Sequence, residues 1–161
     1  MPKLTLLEFF LRGIPETFIF IFAAYAFSKT SFDLKRYLLS SIVFAIVGSI
    51  TRMLPTHNGV HTILNLFAFI IIASSINKID LIKSIKVGVI TVILQSVCEL
   101  INIIIIQFIF KQDMNYILGN PTLKTLYGIP SILIFGITVI SYYIVIVNKK
   151  ELRQVTNGKN M

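Results

Sequence analysis

From Val87 to Phe110 the chain carries a single charged residue, Glu99. A run of this length and apolarity suits a helix that crosses the hydrocarbon core of a membrane, which takes about 20 residues. A carboxylate in such a helix costs several kcal/mol unless it is paired, hydrated or protonated. Gln95 precedes it by one turn and Asn102 follows by about one, so the three polar groups share a helix face. That face needs a partner inside the protein.

Four further apolar segments accompany this one. The five run approximately Ile14–Ser28, Tyr37–Leu54, Val60–Ile76, Ile85–Phe110 and Gly128–Val147. Over 161 residues, 55% are hydrophobic and 14% charged, well below the ~25% charged residues of soluble domains. The predicted fold is an all-α integral membrane bundle of five transmembrane helices, with residues 1–150 forming one domain and 151–161 a polar cytoplasmic tail. The first segment is short. Leu4–Arg12 either extends it through a kink at Pro15 or lies in the interface. The interfacial reading is preferred, with Thr5, Glu8 and Arg12 facing water and Glu8 and Arg12 paired at i,i+4. Glu8, Arg12, Pro15 and Glu16 also interrupt the apolar run too early for a cleavable signal.

The net charge of +8 follows from loop asymmetry and does not require nucleic acid as a partner. With five spans, Lys29, Lys35, Arg36, Lys78, Lys83, Lys86, Lys149, Lys150, Arg153 and Lys159 fall on one side. Lys3, Arg12, Arg52, Lys111 and Lys124 fall on the other. Cytoplasmic loops gather Lys and Arg, so the N-terminus is expected outside and the C-terminus in the cytoplasm of a bacterial cell. Gly13-Ile14-Pro15 and Gly128-Ile129-Pro130 both read as starts of helices descending from the outer face, since proline is tolerated in a first turn.

In this orientation Glu99 stands about 24 Å above Lys83 at 1.5 Å per residue. Glu16, Arg52, His57, His61 and Asn65 join Gln95, Glu99 and Asn102 in the outer half, making these eight the candidate ligand-binding residues. Arg52 either snorkels to the headgroups or pairs with Glu16 or Glu99. His57 sits in a Pro-Thr-His-Asn-Gly turn where solvation alone would account for it, and His61 could bond Asn65. Ser41, Ala45 and Ser49 recur every four residues, as in an internal packing seam or a homodimer face.

Catalytic patterns are weak. Cys98 is the only cysteine, which excludes an intrachain disulfide and a cysteine-based metal cluster. A thiol nucleophile needs a nearby base and access to water, and Cys98 lies mid-helix beside a carboxylate. No metal, phosphate or dinucleotide motif is present, so no cofactor and no enzymatic activity are expected.

The run Arg52-Met53-Leu54-Pro55-Thr56-His57-Asn58-Gly59-Val60-His61-Thr62-Ile63-Leu64 resembles a stretch in the membrane sensor domains of bacterial GHKL-type histidine kinases, the class that includes accessory-gene-regulator peptide receptors. Gly13-Ile14-Pro15-Glu16, Lys83-Ser84-Ile85 and Glu99 extend the likeness over most of residues 5–150. The resemblance implies a non-enzymatic sensor that takes a peptide or amphipathic ligand from the outer face. No histidine follows His61, so the chain would be either an isolated input domain or a stand-alone relative that signals through a separate cytoplasmic kinase or regulator. The alternative is a small-molecule-binding subunit of a membrane transporter, as in energy-coupling-factor systems. Against it, Ala23, Ala24 and Ala26 do not form that family's small-residue docking pattern. A membrane-assembly protein without a ligand is a third reading.

Overall fold

The structure is a computed structural model that describes residues 9–53, 60–108 and 121–148. A π-helical turn, Phe9–Gly13, leads directly into α1 (Ile14–Ser28). It is followed by α2 (Leu34–Met53), α3 (Val60–Ser75), α4 (Leu81–Phe108) and α5 (Pro121–Asn148). The five expected segments are therefore five helices. The π turn with α1, α2, α4 and α5 are each long and apolar enough to cross a membrane. At 16 residues, α3 is shorter, about 24 Å at 1.5 Å per residue. This is the construction of a multi-pass membrane protein.

The central helix is α1, which packs against α2, α4 and α5 and touches α3, while α2, α3, α4 and α5 pack in sequence as an arc around it. Its sequence explains the position. Ile21, Ala23, Ala24, Tyr25 and Ala26 are all buried, on every side of the helix, and three of them are alanines that let neighbouring helices approach closely. Phe20 ties the arc together, stacking at 5.9 Å on Phe44 of α2, 6.3 Å on Phe69 of α3 and 5.4 Å on Phe135 of α5. The outward faces are apolar, as with Leu38, Ile42, Ile46 and Ile50 on α2 and Val89, Ile93, Leu100 and Ile104 on α4. Water is a poor solvent for such a surface and lipid a good one.

Tight turns join helices at one end. Lys29 closes α1 in a left-handed conformation (φ 55°), with backbone bonds from Lys29 and Thr30 back to Ala26 and Tyr25. Asp33 then caps α2, its Oδ1 accepting from the backbone N–H of Lys35 (3.0 Å) and Arg36 (3.3 Å). Lys78 repeats the left-handed conformation (φ 56°) after α3.

Two expectations are corrected. Arg12 does not face water from an interfacial segment. Its π turn continues into α1 and its side chain is 18% exposed, turned towards α4. Glu8 and Thr5 lie outside the described residues. Gly128-Ile129-Pro130 does not start a helix either, because α5 begins at Pro121 and Pro130 is inside it. The matching tripeptide at Gly13 does stand where α1 begins, with Pro15 in the first turn. The same three letters thus serve two purposes, and only the preceding chain distinguishes them.

Candidate functional site

Two polar groupings form at the end of the bundle where α1 starts. The first is built on α4. Glu99 Oε1 accepts from Arg12 Nη2 at 3.0 Å and from Gln95 Nε2 at 3.3 Å. One turn on, Asn102 Nδ2 donates to the Tyr127 carbonyl of α5 at 2.7 Å. The shared face of Gln95, Glu99 and Asn102 is real, and its partners are α1's leading turn and α5.

Arg12 reaches Glu99 because residue 128 has no side chain. A Cβ there would lie 3.0 Å from Arg12 Nη1 and 3.2 Å from its Cζ, closer than ordinary van der Waals contact. The guanidinium is therefore packed on the α5 backbone. Next to it Pro130 supplies no N–H to the preceding turn, and the Ser131 hydroxyl bonds the Gly128 carbonyl at 2.7 Å. Among the described residues, the cation at Glu99 is Arg12. The Arg52 side chain and all of His57 lie outside the described residues, so the structure does not place them in the site.

The second grouping joins α2 to α3. Thr51 Oγ1 donates to Asn65 Oδ1 at 2.8 Å, with the Gly48 carbonyl at 3.0 Å as a further acceptor. His61 Nδ1 lies 2.7 Å from the Thr51 carbonyl. A carbonyl only accepts, so Nδ1 carries the proton. His61 and Asn65 therefore meet through Thr51 rather than directly.

Between α1 and the α2–α3 pair lies a small open cleft that encloses about 40 Å³. Glu16, Thr17, Ser49 and Asn65 give it polar walls, and Phe9, Phe20 and Phe44 apolar ones. Ala45, Gly48 and Ser49 leave the room. The small-residue strip of α2 is accordingly an internal feature, with Ser41 fully buried and the other two members lining this cleft. Phe9 and Gly13 line the cleft while Arg12, in the same π turn, grips Glu99. Short π segments occur frequently at functional sites because the extra residue redirects side chains.

Cys98 is buried against Ala23, Ala26, Phe135 and Val139, an apolar surrounding in which a thiol is inert. Of the candidates, Glu16 and Asn65 share the cleft, His61 adjoins Asn65 through Thr51, and Gln95, Glu99 and Asn102 form a separate column joined to it by the π turn. Sequence reasoning missed Arg12, Gly48, Thr51 and Gly128 as parts of these groupings. A signal existed for one of them, since Arg12 is a cation abutting an apolar run that also requires a partner for Glu99. Comparison of the chain with protein-family models, curated proteins and solved structures finds no match.

Proposed function

We propose that the protein is a non-enzymatic sensor module of the bacterial cell membrane. It has five spans, an outside N-terminus and a cytoplasmic C-terminus, and takes an amphipathic ligand or a peptide side chain into the cleft beside α1. The observation that carries this reading is the cleft itself, with polar and aromatic walls at the end of the bundle where α1 starts. The space it encloses is about 40 Å³, room for a few water-sized groups and far below the roughly 300–1,000 Å³ of ligand pockets. It therefore suits the tip of one short amphipathic group and not a whole folded peptide.

Phe9 and Phe20 give the signal a route. Phe9 belongs to the turn that carries Arg12, and Phe20 touches α2, α3 and α5. An occupant pressing on these rings biases the Arg12–Glu99 pair and the packing of the arc together. A partner kinase or regulator reads the change at the cytoplasmic end, as the resemblance to kinase input domains suggests. The cleft's mixed polar and aromatic lining is also compatible with the transporter-subunit alternative, which predicts a ligand but no signalling partner.

The test is extraction in native lipid discs followed by mass spectrometry of bound small molecules and peptides. The Gly48→Leu variant projects a side chain from a position that lines the cleft and where an added Cβ meets nothing within 4 Å. A compound held at one-to-one by the wild type and lost from Gly48→Leu supports the reading. Equal retention by both chains, or nothing bound to either, sinks it.

A further inference from the structure

Asn102 and Gln95 are 5% and 6% exposed, and each has spent its amide nitrogen on an acceptor. Those bonds fix how the amides point, because turning either around would set its oxygen against a carboxylate or a carbonyl. The two amide oxygens are thereby directed elsewhere, are buried, and meet no donor among the described residues. Buried oxygens left this way are costly, and native proteins satisfy the great majority of them. Here two stand on one helix face, on either side of Glu99.

The occupant that meets both is a small hydrogen-bond donor. An apolar group has nothing to donate. A cation would face the Arg12 guanidinium, 3.0 Å from the one carboxylate of the column, where the charges are already balanced. A neutral donor small enough for a helix interface is water, which typically bridges two to four polar groups when buried.

We infer that the Gln95–Glu99–Asn102 column of α4 is an internal hydration site. Gln95 Oε1 and Asn102 Oδ1 each accept from a bound water molecule, and these waters flank the Arg12–Glu99 pair inside the bundle. The pair is then not a dry lock. When Arg12 and Glu99 separate, partners already stand beside them, so the contact can open within the membrane. This does not depend on the identity of any ligand for the cleft.

Nuclear magnetic resonance of the full chain in lipid bilayers tests the site. The chain has four glutamines, at positions 95, 107, 112 and 154. Gln107→Leu, Gln112→Ala and Gln154→Ala together leave Gln95 as the only ¹⁵N-glutamine signal without touching the column. The expected result is magnetisation transfer from water to the Gln95 side-chain amide that survives a soluble gadolinium chelate which bleaches surface amides. Transfer from lipid acyl chains alone, or from neither source, overturns the inference. So does a water signal that the chelate removes, because the amide would then be open to bulk solvent. Asn102 gives a second measurement in the ¹⁵N-asparagine spectrum, where a chelate-resistant, water-coupled amide is expected and disappears in Asn102→Leu.

Discussion

Arg12 and Glu99 are 87 positions apart in sequence and 3.0 Å apart in space, and their contact ties the leading turn of the central helix to α4. The Arg12 side chain is 18% exposed and that of Glu99 42%. The pair is therefore half-sheltered. Removing one partner leaves the other charge without compensation in a medium that solvates it poorly.

Arg12→Gln and Glu99→Gln are each expected to lower resistance to detergent unfolding by about 1–3 kcal/mol, the usual cost of stranding one member of a charged hydrogen bond. The double variant Arg12→Glu with Glu99→Arg restores opposite charges across the same interface and should recover part of the loss. Unfolding titrations in sodium dodecyl sulfate measure all three. A double variant no better than the sum of Arg12→Glu and Glu99→Arg measured singly would show that the pair does not couple.

Gly128 gives the same contact a steric test. Its missing Cβ leaves the space that the guanidinium occupies. Gly128→Val should displace Arg12 and cost as much as Arg12→Gln, while adding little when Arg12 is already Ala. Such non-additivity is expected of residues sharing one contact. Independent, additive losses would place the strain elsewhere in α5.

Much of this fold is legible in the sequence because a membrane helix is written locally. The apolar run Ile14–Ser28 coincides with α1, and Val60–Ile76 ends one residue after α3. The Gln95–Glu99–Asn102 face follows from the 3.6-residue repeat alone. What was not legible is which element supplies the partner. Arg12 had a nearer match in Glu8, at the spacing of a helix pair, whereas its side chain reaches Glu99 of α4 from a π turn that packs on α5 and α2. Gly128-Ile129-Pro130 misled for a related reason. Proline in a first turn is a local rule, whereas the preceding turn of α5 is held in helix by contacts with α4. Thr51 carried no signal, because the hydroxyl of a helical threonine ordinarily bonds within its own helix and Asn65 comes from another.

At the opposite end of the bundle, Tyr25 Oη donates to Asn77 Oδ1 at 2.9 Å, with both residues about 1% exposed. The Asn77 amide nitrogen meets no acceptor among the described residues. Tyr25→Phe would leave the Asn77 side chain without either partner and should cost about 1–3 kcal/mol. Asn77→Leu in the same background should recover some of that, since removing both polar groups is gentler than stranding one. Thermal unfolding of the three variants in lipid discs checks the order. If Tyr25→Phe matches the wild type, the hydrogen bond contributes nothing net.

Gly48 and Gly88 make opposite demands on an added methyl group. A Cβ at Gly48 meets nothing within 4 Å, whereas one at Gly88 would come 2.9 Å from Leu66 Cδ1 and 3.2 Å from Phe69 Cδ1. Gly48→Ala should therefore express the helix preference of alanine without interference and stabilise α2 by about 0.5–1 kcal/mol. At Gly88 the same preference is opposed by the α3 side chains. Gly88→Leu, too large for them to absorb, should push α3 and α4 apart at a cost of about 1–3 kcal/mol. Detergent unfolding of the two variants should shift in opposite directions. A destabilised Gly48→Ala would mean that the cleft wall is already filled or strained, and a neutral Gly88→Leu that α3 and α4 are not packed at this point.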